Sequence, residues 1–383
     1  MPRSGKVSKR RSTLKKSQPK VVVTQDNDPL AHHFRRFWKV IGFFFIGVAI
    51  GVLILCGAVG FYVYRYMHTV ARSAHSSIRT LLQTAYVGWN TSIDAVDSRE
   101  IFLLLGVDTL ATRDSDAINT DTIMVISVNT QNGNSTTFSI PRDVWISNAQ
   151  VKINGLYNLA LKNKDPHPEL ATQKEVSAMT GLPIQHTIVI DISTLGSVID
   201  AVGGLDVTVD RSFTDTQFPR EGVDVRTVKD PKVLYETVSF TKGVMHMDGK
   251  TALEFIRSRH SSDPIEGSDD ARVLRQQKVI ASLLSKLQDT SIVKHPNEIG
   301  SLLGLYSQHI EQYVPFTQVI ALGRQFLILK KVPKLTSYQI PIQGFADHPV
   351  LYHPAVGPFG EWIYAPLDPT WKQLQTLVHT WIQ

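Results

Sequence analysis

The run IFLLLGVD, residues 101–108, decides the fold. It is apolar from Ile101 to Val107 and stops at Asp108, the pattern of a strand buried on both faces of a layered sheet. Two more strands are expected in DTIMVISVNTQNGNSTTFSIPRD, residues 121–143, on either side of an Asn-Gly turn at 131–134. HTIVIDI (186–192) and LDVTV (205–209) read as further strands. Helical periodicity fills the intervals: KINGLYNLALKNK (152–164), PELATQKEVSAMTGL (168–182), STLGSVIDAVGG (193–204), DGKTALEFIRSR (248–259) and DARVLRQQKVIASLLSKL (270–287). Pro168 suits a first turn, Gly181 a helix end and Ser193 an N-cap. Strands alternating with helices predict an α/β domain. Residues 211–242 read as irregular. The Pro-rich stretch after 290 carries two more helices, strand-like TSYQIPI (336–342) and EWIYAPL (361–367), and a last helix in DPTWKQLQTLVHTWI (368–382).

Upstream the texture changes. VIGFFFIGVAIGVLILCGAVGFYVY, Val40–Tyr64, has no charge and exceeds the roughly 20 residues that cross a bilayer. Trp38 stands at one end and Tyr62, Tyr64 and Tyr66 at the other, as an interfacial belt requires. The span is too long for a signal-peptide core, and no small-residue cleavage site follows it. Ten basic residues against Asp26 and Asp28 give residues 1–36 a net +8, so with +6 overall the rest of the chain carries −2. That excess places the first 36 residues in the cytoplasm and everything after the span outside. It gives the body no nucleic-acid footprint, and no nucleic-acid partner is expected. With Cys56 as the single cysteine, an intrachain disulfide and a cysteine zinc site are excluded. The expected organisation is a basic tail (1–36), a transmembrane helix (37–66), a membrane-proximal spacer (67–99), a catalytic domain (100–290) and a C-terminal part (291–383) of the same domain or tightly appended to it.

The chemistry concentrates in FIRSRHSSDPIEGSDDARVLRQQKVI, Phe255–Ile280. Arg257 and Arg259 leave one helix; Arg272, Arg275 and Gln276 share a face of the next, with Ile280, Leu284 and Leu287 turned inward beside them. Convergent guanidiniums fit an anion, and their forked geometry matches phosphate oxygens. The competing reading is a surface network with Asp263, Glu266, Asp269 and Asp270. Asp108 and Asp121 stand at strand ends, where open α/β sheets place ligands, and two carboxylates suit Mg²⁺ shared with phosphate oxygens. Arg142 and Asp143 end a third strand. GVMHMDGKT (243–251) does not have the glycine spacing of a phosphate loop, and no metalloprotease or nucleophile-elbow motif occurs.

LLLGVD, DTIMVISV, SIPRD, KIN, AVGGLDVTV, MDGKTALEFIRSRH and DDARVLRQQ occur in this order, and together they resemble the LytR-CpsA-Psr family of bacterial cell-envelope proteins. The resemblance implies a three-layer α/β/α sandwich with a central mixed sheet, preceded by one transmembrane helix. It implies phosphoryl transfer of a glycan from a polyprenyl-pyrophosphate carrier in the membrane lipid to a peptidoglycan hydroxyl. Carried over by motif, Asp108 and Asp121 would bind Mg²⁺. Arg142, Arg257, Arg259, Arg272, Arg275 and Gln276 would hold the diphosphate and head group, with Lys152 beside them and Asp143 a candidate base. Two positions depart from the pattern: Asn119 stands where the family has arginine in R-x-D, with Arg113 a substitute from the loop, and Gly155 follows KIN.

Overall fold

The computed structural model describes residues 29–107, 118–220, 222–223, 227–261, 263, 265–329, 334–344, 346–355 and 357–383, with the backbone alone at 29–35, 269–270, 288, 290 and 359. Two units divide the chain, at residues 63 and 64. Helix α1, Pro29–Ser73, starts in the first. It is long and apolar enough to cross a membrane. Its residues from Phe43 to Tyr64 are all exposed, as lipid-facing side chains are.

In the second unit, β1 (Arg99–Val107), β2 (Thr120–Asn129), β3 (Ser135–Ser139), β4 (His186–Asp191) and β5 (Leu335–Gln339) form one sheet in the order β5-β3-β2-β1-β4. β1 runs parallel to β4 and β3 to β5, while β1–β2 and β2–β3 are antiparallel, so the sheet is mixed. Period-two alternation sorts its side chains into two layers. Leu103, Leu105, Ile123, Val125 and Phe138 pack with Val176 and Met179 of a helix over Glu169–Thr180, and with Leu374 and Val378 of one over Lys372–Ile382. The other face looks toward helices α2 (Ile192–Ala201), α3 (Gly249–Arg257) and α4 (Asp269–Gln288). These three share a second core built on Ile199, Leu253, Phe255, Val279 and Leu283. Helix, sheet and helix make the three-layer sandwich.

Local signals explain most boundaries. Pro168 precedes the Glu169 helix, and Gly181 ends it with φ +71°, a left-handed conformation glycine adopts without strain. Three expectations change. The N-cap of α2 is Asp191, whose Oδ1 accepts from Ser193 N at 2.8 Å, because β4 runs straight into the helix and its last carboxylate reaches the first free amides. Residues 211–242, read as irregular, hold two strands: Phe213–Pro219 and Tyr235–Phe240 pair as an antiparallel ribbon that shares the second core with another, Leu205–Val209 with Gly243–Met247. Of EWIYAPL, only Ala365–Pro366 pairs as strand, against Leu351–Tyr352.

One close approach fixes α3 against α2. The Gly249 amide donates to Asp200 Oδ1 at 2.7 Å, and a Cβ there would lie 2.3 Å from the Gly196 carbonyl oxygen. Only glycine lets the backbones come that near. Asp248 caps α3 by accepting from Thr251 N at 2.8 Å, and the Thr251 side-chain hydrogen bond holds its carboxyl below the usual range.

Candidate active site

Asp121 enters the site through an irregularity. Gly106 pairs with Thr122 and Val107 with Thr120, so β2 has one residue more than β1 at this point, and Asp121 is the extra one. In a regular strand Asp121 and Thr122 would face opposite layers. At the bulge both line the same cavity. Gly106 is required opposite, since a Cβ there would come within 2.9 Å of Thr122 Cβ. Val107, which directly precedes Asp108, lines that cavity too; Asp108 and Arg113 lie outside the described residues. Asn119 is described and half-buried.

Arg142 and Asp143 follow β3. Arg142 Nη1 donates to Asp121 Oδ1 at 3.1 Å, and its Nε lies 3.5 Å from Asp143 Oδ2. Lys152 Nζ reaches Asp143 Oδ1 at 3.0 Å and Glu361 Oε2 at 3.4 Å. It borders neither cavity described below, so the expected head-group contact becomes a support for Asp143.

The R-x-R spacing follows from where α3 stops. Arg257 is its last residue, and Ser258 turns extended at φ −57°, ψ 133°. Beyond the helix end, alternate residues diverge: Arg259 is exposed, while Ser258 is buried and gives its hydroxyl to Asp215 Oδ2 at 2.7 Å. The same oxygen accepts from the amides of Arg259 at 2.9 Å and His260 at 3.0 Å. Burial pushes the Asp215 carboxyl up, but these bonds and the one from Gln217 N outweigh it and hold the group below its ordinary value. Asp215 lies in the stretch read as irregular, and a single aspartate among many charges gave no signal.

Helix α4 divides its arginines between two tasks. Arg272 and Gln276, one turn apart, line the cavities with Ile280 beyond them. Arg275 lines neither. It is 3% exposed and faces the second core. Its Nε donates to the Phe255 carbonyl at 2.9 Å and its Nη2 to that of Ser258 at 2.6 Å. Its Nη1 serves the Glu266 carbonyl at 3.0 Å and carboxylate at 2.8 Å, and the guanidinium lies 4.9 Å from the Phe213 ring centre. Burial lowers its pKa, against the pull of Glu266. The expectation that Arg275 binds diphosphate is therefore corrected: the carbonyls at the end of α3 take its donors. The core face of α4 is likewise Val279 and Leu283, while Leu287 is exposed.

Two cavities meet at these residues, sharing Asp121, Thr122, Arg272 and Gln276. The first, about 320 Å³, runs between the sheet and α2–α4; Leu104, Ile190, Leu195, Ile256 and Ile280 make its wall. Arg257, Arg259 and Arg272 stand on the same cavity, with the Arg257 guanidinium 5.6 Å from the Phe218 ring centre. The second, about 430 Å³, holds Arg142, Asp143, Gln277, Gln339, Trp362 and Tyr364. Among the described residues no cluster of three or more His, Cys, Asp or Glu side chains could hold a metal ion. The first cavity has the polarity of an amphiphile with an anionic head, and the second offers a carboxylate and amides beside it.

A layered α/β domain with an aliphatic cavity opening on arginines defines the class. The chain belongs to the LytR_cpsA_psr family, whose model matches residues 61–361. It is 29% identical over 249 residues to TagU of Bacillus cereus (strain AH820), a polyisoprenyl-teichoic acid–peptidoglycan teichoic acid transferase, covering 65% of this chain and 71% of that protein. TagV of Bacillus subtilis (strain 168), named for the same activity, is 23% identical over 280 residues, 72% of this chain and 64% of TagV. The crystal structure of B. subtilis TagV shares the fold, with a TM-score of 0.51 at 20% identity over 75% of this chain and 98% of that one.

Proposed function

We propose that this protein transfers a glycopolymer from a polyprenyl-pyrophosphate carrier to a sugar hydroxyl of peptidoglycan. One observation carries the reading: Arg257, Arg259 and Arg272 stand on a cavity whose wall is aliphatic. A lipid diphosphate needs both, a cationic cradle for its phosphates and an apolar groove for the start of its chain. The transferase names of TagU and TagV support it.

The acceptor hydroxyl attacks the glycan-bearing phosphorus, the bridging P–O bond breaks, and polyprenyl phosphate leaves with the bridging oxygen. Asp143 takes the hydroxyl proton, with Lys152 and Arg142 orienting its two oxygens. Catalysis is then mostly positioning and charge stabilisation by Arg142, Arg257, Arg259 and Arg272. Asp121, turned into both cavities by its bulge, is a hard oxygen donor beside the phosphate site and would hold Mg²⁺, with Asp108 the second carboxylate of the sequence pattern. When bound, that ion would neutralise diphosphate charge. The span α1 would keep the enzyme beside its lipid substrate, with the basic tail inside and the catalytic domain outside.

The test is transfer by the full chain in proteoliposomes, given lipid-linked glycan and peptidoglycan. Glycan becomes covalently attached to the wall polymer, and Arg257→Ala reduces donor affinity by about ten-fold or more. Phosphate release without attachment would select a hydrolase instead, the outcome that Asn119 in the R-x-D position favours.

A further inference from the structure

The second cavity is unlike the first. Beyond the residues the two share, it carries the Asp143 carboxylate and the Gln277 and Gln339 amides, and an exposed aromatic ring borders it. Trp362 is 57% exposed although His353 stacks on one of its faces, with ring centres 3.4 Å apart and 23° between planes. His353 is itself fixed, its Nδ1 hydrogen-bonded to the Ile363 carbonyl at 2.9 Å. The indole is thus held in place on the cavity, with the Tyr364 ring nearly perpendicular to it, 6.3 Å between centres.

The segment that carries it is tied to the catalytic loop. The Tyr364 amide donates to the Asp143 carbonyl at 2.9 Å, and the Trp145 amide donates to that of Tyr364 at 2.9 Å. Glu361 reaches Lys152, which reaches Asp143. Ring and carboxylate therefore belong to one rigid piece. Across the cavity, Gln277 donates its amide nitrogen to Ser139 Oγ at 3.3 Å and the Tyr338 carbonyl at 3.4 Å, which fixes its Oε1 as the acceptor. Gln339 is exposed beside it. The family match stops at residue 361, so Trp362 and Tyr364 lie beyond it.

A flat apolar ring beside carboxylate and amide acceptors is the complement of a pyranose, which has one C–H face and a rim of hydroxyls. We propose that this cavity is a saccharide subsite in which Trp362 stacks on a pyranose ring while Asp143, Gln277 and Gln339 take its hydroxyls. The inference rests on the transferase reading and extends it: a sugar seated there brings a hydroxyl to Asp143. Two sugars share this chemistry, the acceptor's and the first of the donor glycan, and the test separates them.

Three titrations use the full chain in detergent: a β-1,4-linked N-acetylglucosamine tetramer, a glycan-free polyprenyl pyrophosphate, and the same lipid carrying its glycan. If the acceptor sits on Trp362, Trp362→Ala weakens tetramer binding by about ten-fold, Trp362→Phe weakens it less, and glycan-free lipid binds as in wild type. If the donor sugar sits there, the variant instead removes the affinity difference between the two lipids. Unchanged lipid binding also reports that the variant is folded. Wild-type values in both sugar arms, or an equal loss for the glycan-free lipid, overturn the subsite. Trp362-dependent sugar binding in a protein that performs no transfer would leave the subsite standing and remove the transferase.

Discussion

Replacing Arg275 with alanine separates a positioning arginine from a substrate-binding one. The substitution removes donors to three carbonyls, at Phe255, Ser258 and Glu266, and strands the Glu266 carboxylate, whose side chain is 13% exposed. Breaking a buried ion pair by deleting one partner costs about 3–5 kcal/mol. Glu266 gains some water when abandoned, which favours the lower end, about 3 kcal/mol. At roughly 2 °C per kcal/mol for a domain of this size, Tm falls by on the order of 6 °C. Thermal unfolding of the full chain in detergent reads this directly. Donor affinity measured well below Tm also falls, because the α3 end that carries Arg257 and Arg259 is no longer pinned. Arg275→Met combined with Glu266→Gln should cost less than Arg275→Ala alone, since no charge is left buried. An Arg275→Ala protein with wild-type Tm and no transfer would refute the reasoning and put the guanidinium on the substrate.

Gly249→Ala pushes a methyl group into the Gly196 carbonyl and should destabilise by about 1–3 kcal/mol through separation of α2 and α3; an unchanged Tm would show that the approach is softer than the backbone implies. Asp215 has a depressed carboxyl, so its contribution is complete above about pH 4 and is lost as pH falls through the folded-state value. Asp215→Asn has one acceptor oxygen for four donors; it should unfold more easily at neutral pH and lose less stability than wild type between about pH 5 and 3, with parallel Tm–pH curves counting against the assignment. Asp143→Asn should lower kcat by about 100-fold or more while donor affinity holds, and an unaltered kcat would remove Asp143 as the base.

The sheet and the flanking helices were legible because both rest on short-range signals. The apolar run 101–107 has no rival reading at that length, and Pro168 and Gly181 bracket their helix by backbone chemistry alone. The ribbon at 213–240 was not legible. Its strand Tyr235–Phe240 buries only Val238 and Phe240, so alternation never extends far enough to separate it from a charged loop. Arg275 was misjudged for a different reason. Helical spacing puts residues 272, 275 and 276 on neighbouring faces, but it cannot say that the end of α3 presents carbonyls to one of them. The cavity's aliphatic wall was equally hidden, since Leu104, Ile190 and Ile280 come from elements far apart in sequence.

Asp121, Arg142, Asp143 and Arg259 enter the site where regular structure breaks, and the reason is geometric. A strand of this sheet sends alternate residues into the first core and toward the α2–α4 layer, and α3 and α4 each pack one side against the second core. An uninterrupted element brings a charge to the cavities only at the right helical phase, as α4 does with Arg272. The bulge opposite Gly106 and Val107 rotates Asp121 into the cavities without moving Ile123 out of the first core. The end of α3 at Arg257 lets Arg259 leave the helix path while Phe255 and Ile256 stay buried. On α4 no break exists, and one arginine in two is consequently lost to the interior, where it clamps the end of the neighbouring helix instead. That loss explains why Asp215 and Glu266 are needed: an arm freed by a helix end must be fixed from the core side, and fixed polar groups rather than a change of fold decide where Arg257 and Arg259 stand on the first cavity.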